Sequence, residues 1–275
     1  MTKYRNYMQN VSRILVGIIT IPIVVAIIFY LPVSFFLLLV MVLSGLGLYE
    51  YFSLVESAVT FPNWKVLFSC LGMGLPVSVY LWGTNGILAA LFAILVFLMV
   101  VTMKILPTYE RSFPSAGGIF LGYFFVVVPL SLAVSILMMT PHGRGRALWM
   151  VLLVWAGDTG AFYLGTMFGK HKLYPKVSPK KSIEGVIGGI LSALVVGAVA
   201  KWFLPVDITL REVLVLAPIL LILGQLGDFS ESMLKRGAGA KDSGKILAGH
   251  GGILDRIDSF LFTIPFFYIY LLLRT

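Results

Sequence analysis

The chain has 275 residues, 59% of them hydrophobic and 12% charged, with a formal net charge of +9. Soluble domains carry about 25% charged residues, and a mean hydropathy of +0.97 leaves more apolar surface than a water-soluble fold can hide, so lipid must be the solvent for most of the chain. The positive charge does not point to nucleic acid, because the basic residues sit in short segments between apolar runs, as topology signals do; the one cysteine, Cys70, excludes a disulfide framework within the chain.

A membrane-crossing helix needs about 20 apolar residues. In chain order, nine stretches are predicted to cross: 11–31, 34–55, 64–83, 86–106, 117–139, 147–168, 183–203, 211–228 and 257–273. The first is long enough to span, and no small-residue cleavage site follows it, so no removable signal peptide is expected. Pro32, Pro62, Gly83 and Gly86 fall at the boundaries, and Pro107 and Pro114 bracket the loop before the fifth stretch. Pro22, Pro129 and Pro265 lie inside spans, where neighbouring helices can satisfy the freed carbonyls.

The expected fold is therefore all-α, a polytopic integral membrane protein of about nine transmembrane helices in a single domain over 1–275. Placing the N-terminus inside puts most lysines and arginines on one face, including both long basic loops, 169–182 and 229–256. With nine crossings that gives an N-in, C-out orientation and a cytoplasmic face for both loops. The N-terminal part, 1–145, holds few polar residues within its spans. Glu50, near the inner end of the second span, is the exception, and it is expected to cap or snorkel. The helices and loops of 146–275 carry nearly all the chemistry-bearing residues.

The densest polar run is Gly227-Asp228-Phe229-Ser230-Glu231-Ser232-Met233-Leu234-Lys235-Arg236. It continues an apolar helix, so Asp228, Glu231, Ser232 and Lys235, at i, i+3, i+4 and i+7, share one face. Ionisable groups at a membrane boundary are costly unless they face water or the protein interior. Glu231 and Lys235 can also be read simply as an i, i+4 helix pair. A Gly-rich basic stretch follows, Gly237 to Lys245, with Lys241 and Asp242 inside it. Backbone amides and lysines of this kind suit phosphate. Gly239 to Lys245 fits the first part of a P-loop, but Ile246 stands where Ser or Thr is needed and no strand precedes it, so that reading fails.

Gly249-His250-Gly251-Gly252-Ile253-Leu254-Asp255-Arg256-Ile257-Asp258 opens the last span. Its glycines permit tight turns around a ligand. Asp255 and Asp258, at i and i+3 near a helix N-terminus, suit its dipole and could share a hard cation such as Mg²⁺, which takes a few carboxylates plus substrate phosphates. Two carboxylate clusters flanking a basic loop form an inventory for phosphoryl or nucleotidyl transfer. Asp158, in Gly157-Asp158-Thr159-Gly160, lies far into the sixth span and is a functional candidate on that ground. The lysines of Lys176-Val177-Ser178-Pro179-Lys180-Lys181-Ser182-Ile183-Glu184 could grip phosphate, or serve only as a topology signal or an anionic-lipid contact. His142 and His171 read as loop residues, and His250 as either a turn residue or part of the site.

The ordered run Ser232-Met233-Leu234-Lys235-Arg236, then Lys241-Asp242, then His250-Gly251-Gly252-Ile253-Leu254-Asp255-Arg256-Ile257-Asp258 resembles the signature of the phosphatidate cytidylyltransferases, or CDP-diglyceride synthases. The resemblance reaches upstream through Asp228 and Glu231 to Asp158 and the stretch Lys176–Gly185, covering roughly 150–260. Ala248 departs from it, standing where the family usually has proline.

The resemblance implies transfer of CMP from CTP to phosphatidate, giving CDP-diacylglycerol and pyrophosphate. It also implies Mg²⁺ dependence, a monovalent cation such as K⁺ beside the Mg²⁺, a homodimer, and a bacterial cytoplasmic membrane. On this reading Asp228, Asp255 and Asp258, with Glu231, hold metal, and Lys235, Arg236, Lys241 and Arg256 hold phosphates. Asp242 and His250 belong to the catalytic set. Asp158, Lys180, Lys181, Glu184, Ser232, Gly251 and Gly252 shape the substrate site. The alternatives are a relative that charges another lipid phosphate and, from a different class, a secondary transporter using Asp158 and Asp228 as coupling carboxylates. Paired interrupted helices in two matching halves would favour the transporter, but the polar residues crowd into one half.

Overall fold

The computed structural model describes residues 21–56, 64–105, 109–244 and 251–274. Helix α1 covers residues 21–29. After it come α2 (Val33–Val55), α3 (Lys65–Gly72), α4 (Gly74–Trp82), α5 (Asn85–Ile105) and α6 (Tyr109–Gly122). One π-helical turn at Tyr123–Val127 joins α6 to α7 (Val128–Met138). The second half holds α8 (Gly143–Phe168), strands β1 (Lys172–Tyr174) and β2 (Ser178–Ser182), α9 (Ile183–Phe203), α10 (Leu210–Gly237) and α11 (Leu254–Leu273).

Among the described residues, eight helical segments are long and apolar enough to cross a membrane. They coincide with eight of the nine predicted stretches; residues 11–20 of the first stretch lie outside the described residues. Three local expectations change. Pro114 sits inside α6 rather than in a loop. The eighth stretch continues as helix to Gly237, because the polar run after Asp228 keeps helical spacing. The basic loop 169–182 contains an antiparallel hairpin, with Lys172 opposite Ser182 and Tyr174 opposite Ser178. Among the described residues, these two short strands are the exception to an otherwise helical fold.

Helices that are apolar all round bury one side and give the other to lipid. The inner side holds Trp149, Tyr51, Tyr123, Phe68 and Phe267, all essentially inaccessible, while Leu88, Phe92, Trp202 and Phe203 lie on the outside. The polar tips of these buried aromatic side chains find partners: Tyr123 Oη donates to the Phe68 carbonyl at 2.6 Å and Trp149 Nε1 to the Gly197 carbonyl at 2.9 Å. Such bonds contribute only about 0.6 kcal/mol each in membrane proteins, so close packing must hold the bundle. It does so where small residues let backbones meet. A Cβ on Gly160 of α8 would fall 2.1 Å from Ser192 Oγ of α9, and one on Gly227 of α10 would fall 2.2 Å from the Asp258 carbonyl oxygen of α11. The second contact sets the site, because it makes α10 and α11 touch at the residues that carry Asp228 and Asp258.

Candidate functional site

Three helices and the hairpin deliver the site. Asp158 comes from the middle of α8, Asp228 and Glu231 from α10, Asp258 from the first turns of α11, and Lys181 from the end of β2. Asp258 is near enough to Asp228, Glu231 and Asp158 to feel the charge of each, and Asp158 to feel that of Asp228. Asp158, Asp228 and Asp258 are each half-buried. Lys181 Nζ lies 2.7 Å from Asp228 Oδ2 and 4.3 Å from the centre of the Phe229 ring. Ser232 Oγ donates to Asp228 Oδ1 at 3.3 Å, and Gln225 Nε2 lies 3.5 Å from Asp158 Oδ1. Ser259 hydrogen-bonds both Asp158 and Asp258.

A second group stands beside it. Lys235 bridges Glu231 and Asp255; its distance to Asp255 Oδ1 is 2.5 Å. Glu231 has no exposed side-chain surface, and Lys235 keeps 11%. The other oxygen of Asp255 accepts from Ser243 N at 3.1 Å, Ser243 Oγ at 2.9 Å and Gly252 N at 2.8 Å. Gly251 takes φ +78°, a conformation that only glycine adopts freely, and a Cβ there would press on the same Asp255 oxygen at 2.9 Å. Asp255 therefore ties the start of α11 to α10 and to the turn at Ser243.

The remaining residues singled out from sequence fall around these two groups. Arg236, Lys241, Asp242 and Arg256 are exposed, and Arg236 donates to the Ala240 carbonyl at 3.3 Å. Lys180 is exposed on β2. Glu184 faces the hairpin rather than the carboxylates: it accepts from the amides of Lys170 and His171, and His171 Nδ1 lies 2.6 Å from Oε1. Ser182 caps α9 by accepting from Gly185 N. His250 lies outside the described residues. Sequence reading missed Gln225, Phe229, Ser243 and Ser259. Extending the Asp228 face one turn backwards would have found Gln225; Ser243 and Ser259 carry no pattern of their own.

Among the described residues, no three His, Cys, Asp or Glu side chains converge as a ready-made metal cage. Magnesium does not need one, since it keeps waters and takes one or two carboxylates plus substrate phosphates. The donor chemistry fits it: five carboxylates (Asp158, Asp228, Glu231, Asp255, Asp258) crowd an edge where, among the described residues, Lys181 and Lys235 are the lysines paired with them. Asp228 and Asp258 supply hard oxygen donors at the centre of that excess.

The opposite end of the same helices is charged but balanced. Arg146, near the start of α8, makes two bonds to Asp207, at 2.9 and 2.6 Å. Arg274, just after α11, pairs with Asp207 and Glu212, and Glu212 also accepts from Tyr270 Oη. The guanidinium of Arg146 holds the Asp207 carboxyl down at about 2.

A bundle of membrane-crossing helices that gathers carboxylates and exposed basic side chains defines a polytopic membrane protein with a charged site. The cytidylyltransferase family model matches residues 11–274. The phosphatidate cytidylyltransferase of Bacillus subtilis (strain 168) is 36% identical over 199 residues, covering 72% of this chain and 74% of that protein. The chain belongs to the cytidylyltransferase family. Phosphatidate cytidylyltransferases of Staphylococcus haemolyticus (strain JCSC1435) and Staphylococcus aureus (strain COL) are 49% and 48% identical over 130 and 131 residues. The matched region spans 50% of the length of each of these staphylococcal relatives.

Proposed function

We propose that this membrane protein transfers CMP from CTP to phosphatidate, releasing pyrophosphate and leaving CDP-diacylglycerol for phospholipid synthesis. The carrying observation is the carboxylate excess at Asp158, Asp228 and Asp258 beside an exposed basic rim, in a chain of this family. The site faces the cytoplasm of a bacterial inner membrane in this reading, with the N-terminus inside. Support comes from the charge asymmetry of the loops and from Lys181, which brings the basic hairpin to the carboxylate end of the bundle. Soluble CTP and bilayer phosphatidate both have access there.

The phosphate of phosphatidate is already anionic near neutral pH, so its attack on the α-phosphorus of CTP needs alignment and charge neutralisation more than a strong base. Magnesium, with a monovalent cation such as K⁺ beside it, supplies that neutralisation when bound. Asp228 and Asp258 would hold the divalent cation. Glu231 and Asp255 join only by releasing Lys235, which they otherwise clasp. Lys180, Arg236, Lys241 and Arg256 line the exposed rim and take the phosphates of CTP and the departing pyrophosphate. Lys181, set between Asp228 and the Phe229 ring, is placed to exchange its carboxylate partner for a substrate phosphate. A homodimer belongs to this reading through the family, and its mass in detergent tests it.

Purified protein given CTP, phosphatidate and Mg²⁺ should release pyrophosphate and form CDP-diacylglycerol, and chelation of the metal should stop both. A folded preparation that forms neither product overturns the assignment. Preference for another lipid phosphate in a substrate panel would keep cytidylyl transfer and replace the acceptor.

A further inference from the structure

Glu50 belongs to the half of the molecule that contributes none of the carboxylates described above, yet its side chain ends inside the site. It lies near the end of α2 and is 2% exposed. Its Oε1 accepts from Ile253 N at 3.0 Å, and its Oε2 accepts from Leu254 N at 2.8 Å and Ser243 Oγ at 2.9 Å. Ile253 and Leu254 open α11, where the first amides of a helix have no partner within it. The N-cap residue Ile253 makes no side-chain cap, and the carboxylate that fills that role comes from some 200 residues earlier in the chain. An anion at this position also meets the positive end of the helix dipole.

The surrounding chain is shaped to admit it. A Cβ on Gly244 would lie 2.2 Å from Glu50 Oε1, and a Cβ on Gly252 would lie 2.3 Å from Oε2. Ser243 Oγ meets both Glu50 Oε2 and Asp255 Oδ2 at 2.9 Å. Glu50 thus grips the turn at Ser243 and the start of α11 together, one turn of helix before Asp258. Of the two roles expected from sequence, capping is the one the contacts support: a snorkelling residue at the lipid boundary would keep a face to water, whereas Glu50 is buried with both oxygens bonded to the start of α11 and to Ser243.

We infer that Glu50 is a positioning residue for cytidylyl transfer: it caps α11 from a distance and fixes the Ser243 turn, so that Asp255 and Asp258 are held in register with α10. The inference rests on the reading given under Proposed function. Losing the carboxylate leaves two buried amides unpaired and frees the first turn of α11. A misplacement of about 1 Å in a reacting constellation lowers rates by about 10²-fold. The phosphate-binding rim at Arg236 and Lys241 is not gripped by Glu50, so the loss should fall on kcat and leave KM for CTP little changed.

The test compares Glu50→Ala and Glu50→Gln with Leu54→Ala, a packing control one turn along the same buried face of α2. All are measured for kcat, for KM and for amide hydrogen exchange over residues 251–256. Glu50→Ala should lose about 10- to 100-fold in kcat and exchange faster at Ile253 and Leu254, and Glu50→Gln should lie between it and the wild type. Leu54→Ala should lower the melting temperature while keeping wild-type kcat and exchange in that segment. If Glu50→Ala does not fold, Glu50→Gln decides alone. Wild-type kcat or unchanged exchange in a folded Glu50 variant overturns the inference, as does an equal kcat loss in Leu54→Ala. Failure of the wild-type protein to make CDP-diacylglycerol would instead remove the proposed activity, and exchange at 251–256 would still judge the capping role.

Discussion

The two ends of the C-terminal helices carry similar residue types to opposite effect. At one end, Arg146, Arg274, Asp207 and Glu212 form a matched set, two cations against two carboxylates, closed by Tyr270. At the other, among the described residues, Asp158, Asp228, Glu231, Asp255 and Asp258 outnumber the lysines paired with them. Matched charges fasten helices and leave nothing for a ligand to do. A surplus of one sign at a membrane boundary is unfavourable until something of the other sign arrives. The comparison separates structural charge from charge kept for chemistry, and substitutions at the two ends should behave differently.

The largest effect is expected at the centre of the surplus. Asp258→Asn should reduce kcat on the order of 10²- to 10³-fold, the scale seen when one group stabilising a transition state is removed. Because it relieves repulsion from Asp228, Glu231 and Asp158, it should leave the melting temperature unchanged or raised. A large fall in melting temperature would show that Asp258 is structural and would erase the contrast.

Lys235 tests the boundary between the two kinds of charge, because it sits in the surplus yet is fully engaged. Lys235→Met leaves Glu231 and Asp255 facing each other without a cation, and breaking a buried pair this way costs about 3–5 kcal/mol. Unfolding in detergent should register that loss, and adding Glu231→Leu should recover part of it. No destabilisation would mean that Lys235 is free to serve substrate instead.

The smallest effect on turnover is expected at the balanced end. Asp207→Asn should keep wild-type kcat and lose about 1 kcal/mol or less, since the pair is partly open to solvent. Its pH dependence has a fixed sign. The Asp207 carboxyl is held at about 2 by Arg146, with Arg274 adding to it, against about 3.9 in an unfolded chain. The stabilisation is therefore complete above about pH 4 and disappears as pH falls through about 2. The melting temperatures of wild type and Asp207→Asn should differ at pH 6 and converge towards pH 2. A gap that persists at low pH would remove the ion pair as its cause.

Much of this was legible before any coordinates. The eight helices that coincide with predicted stretches follow from apolar length alone, because lipid leaves a backbone little choice but to satisfy itself within a helix. Helical spacing placed Asp228, Glu231, Ser232 and Lys235 on one face, and α10 does carry them there. The ordered run from Ser232 to Asp258 pointed to the family. The hairpin in 169–182 was not legible, since strands as short as Lys-Leu-Tyr and Ser-Pro-Lys-Lys-Ser give no alternating pattern. The partners of Asp255 were not legible either: Ser243 and Gly252 reach it through backbone amides, and an amide has no signature in sequence.

The sequence by itself determined a membrane solvent, the helical class, the crowding of acidic and basic residues into the second half, and the family. These depend on local composition and spacing, which a linear chain displays in full. Tertiary structure alone decided which carboxylates are spoken for and which are in surplus. Asp255 and Asp258 stand three residues apart and read alike, but the first is held by Lys235 and two loop amides while the second faces Asp158 and Asp228. It also decided that Glu50, a lone acid in an apolar span, reaches across the bundle to α11. Such assignments depend on distances between residues far apart in the chain, and only helix packing, as at the contact of Gly227 with Asp258, sets those distances.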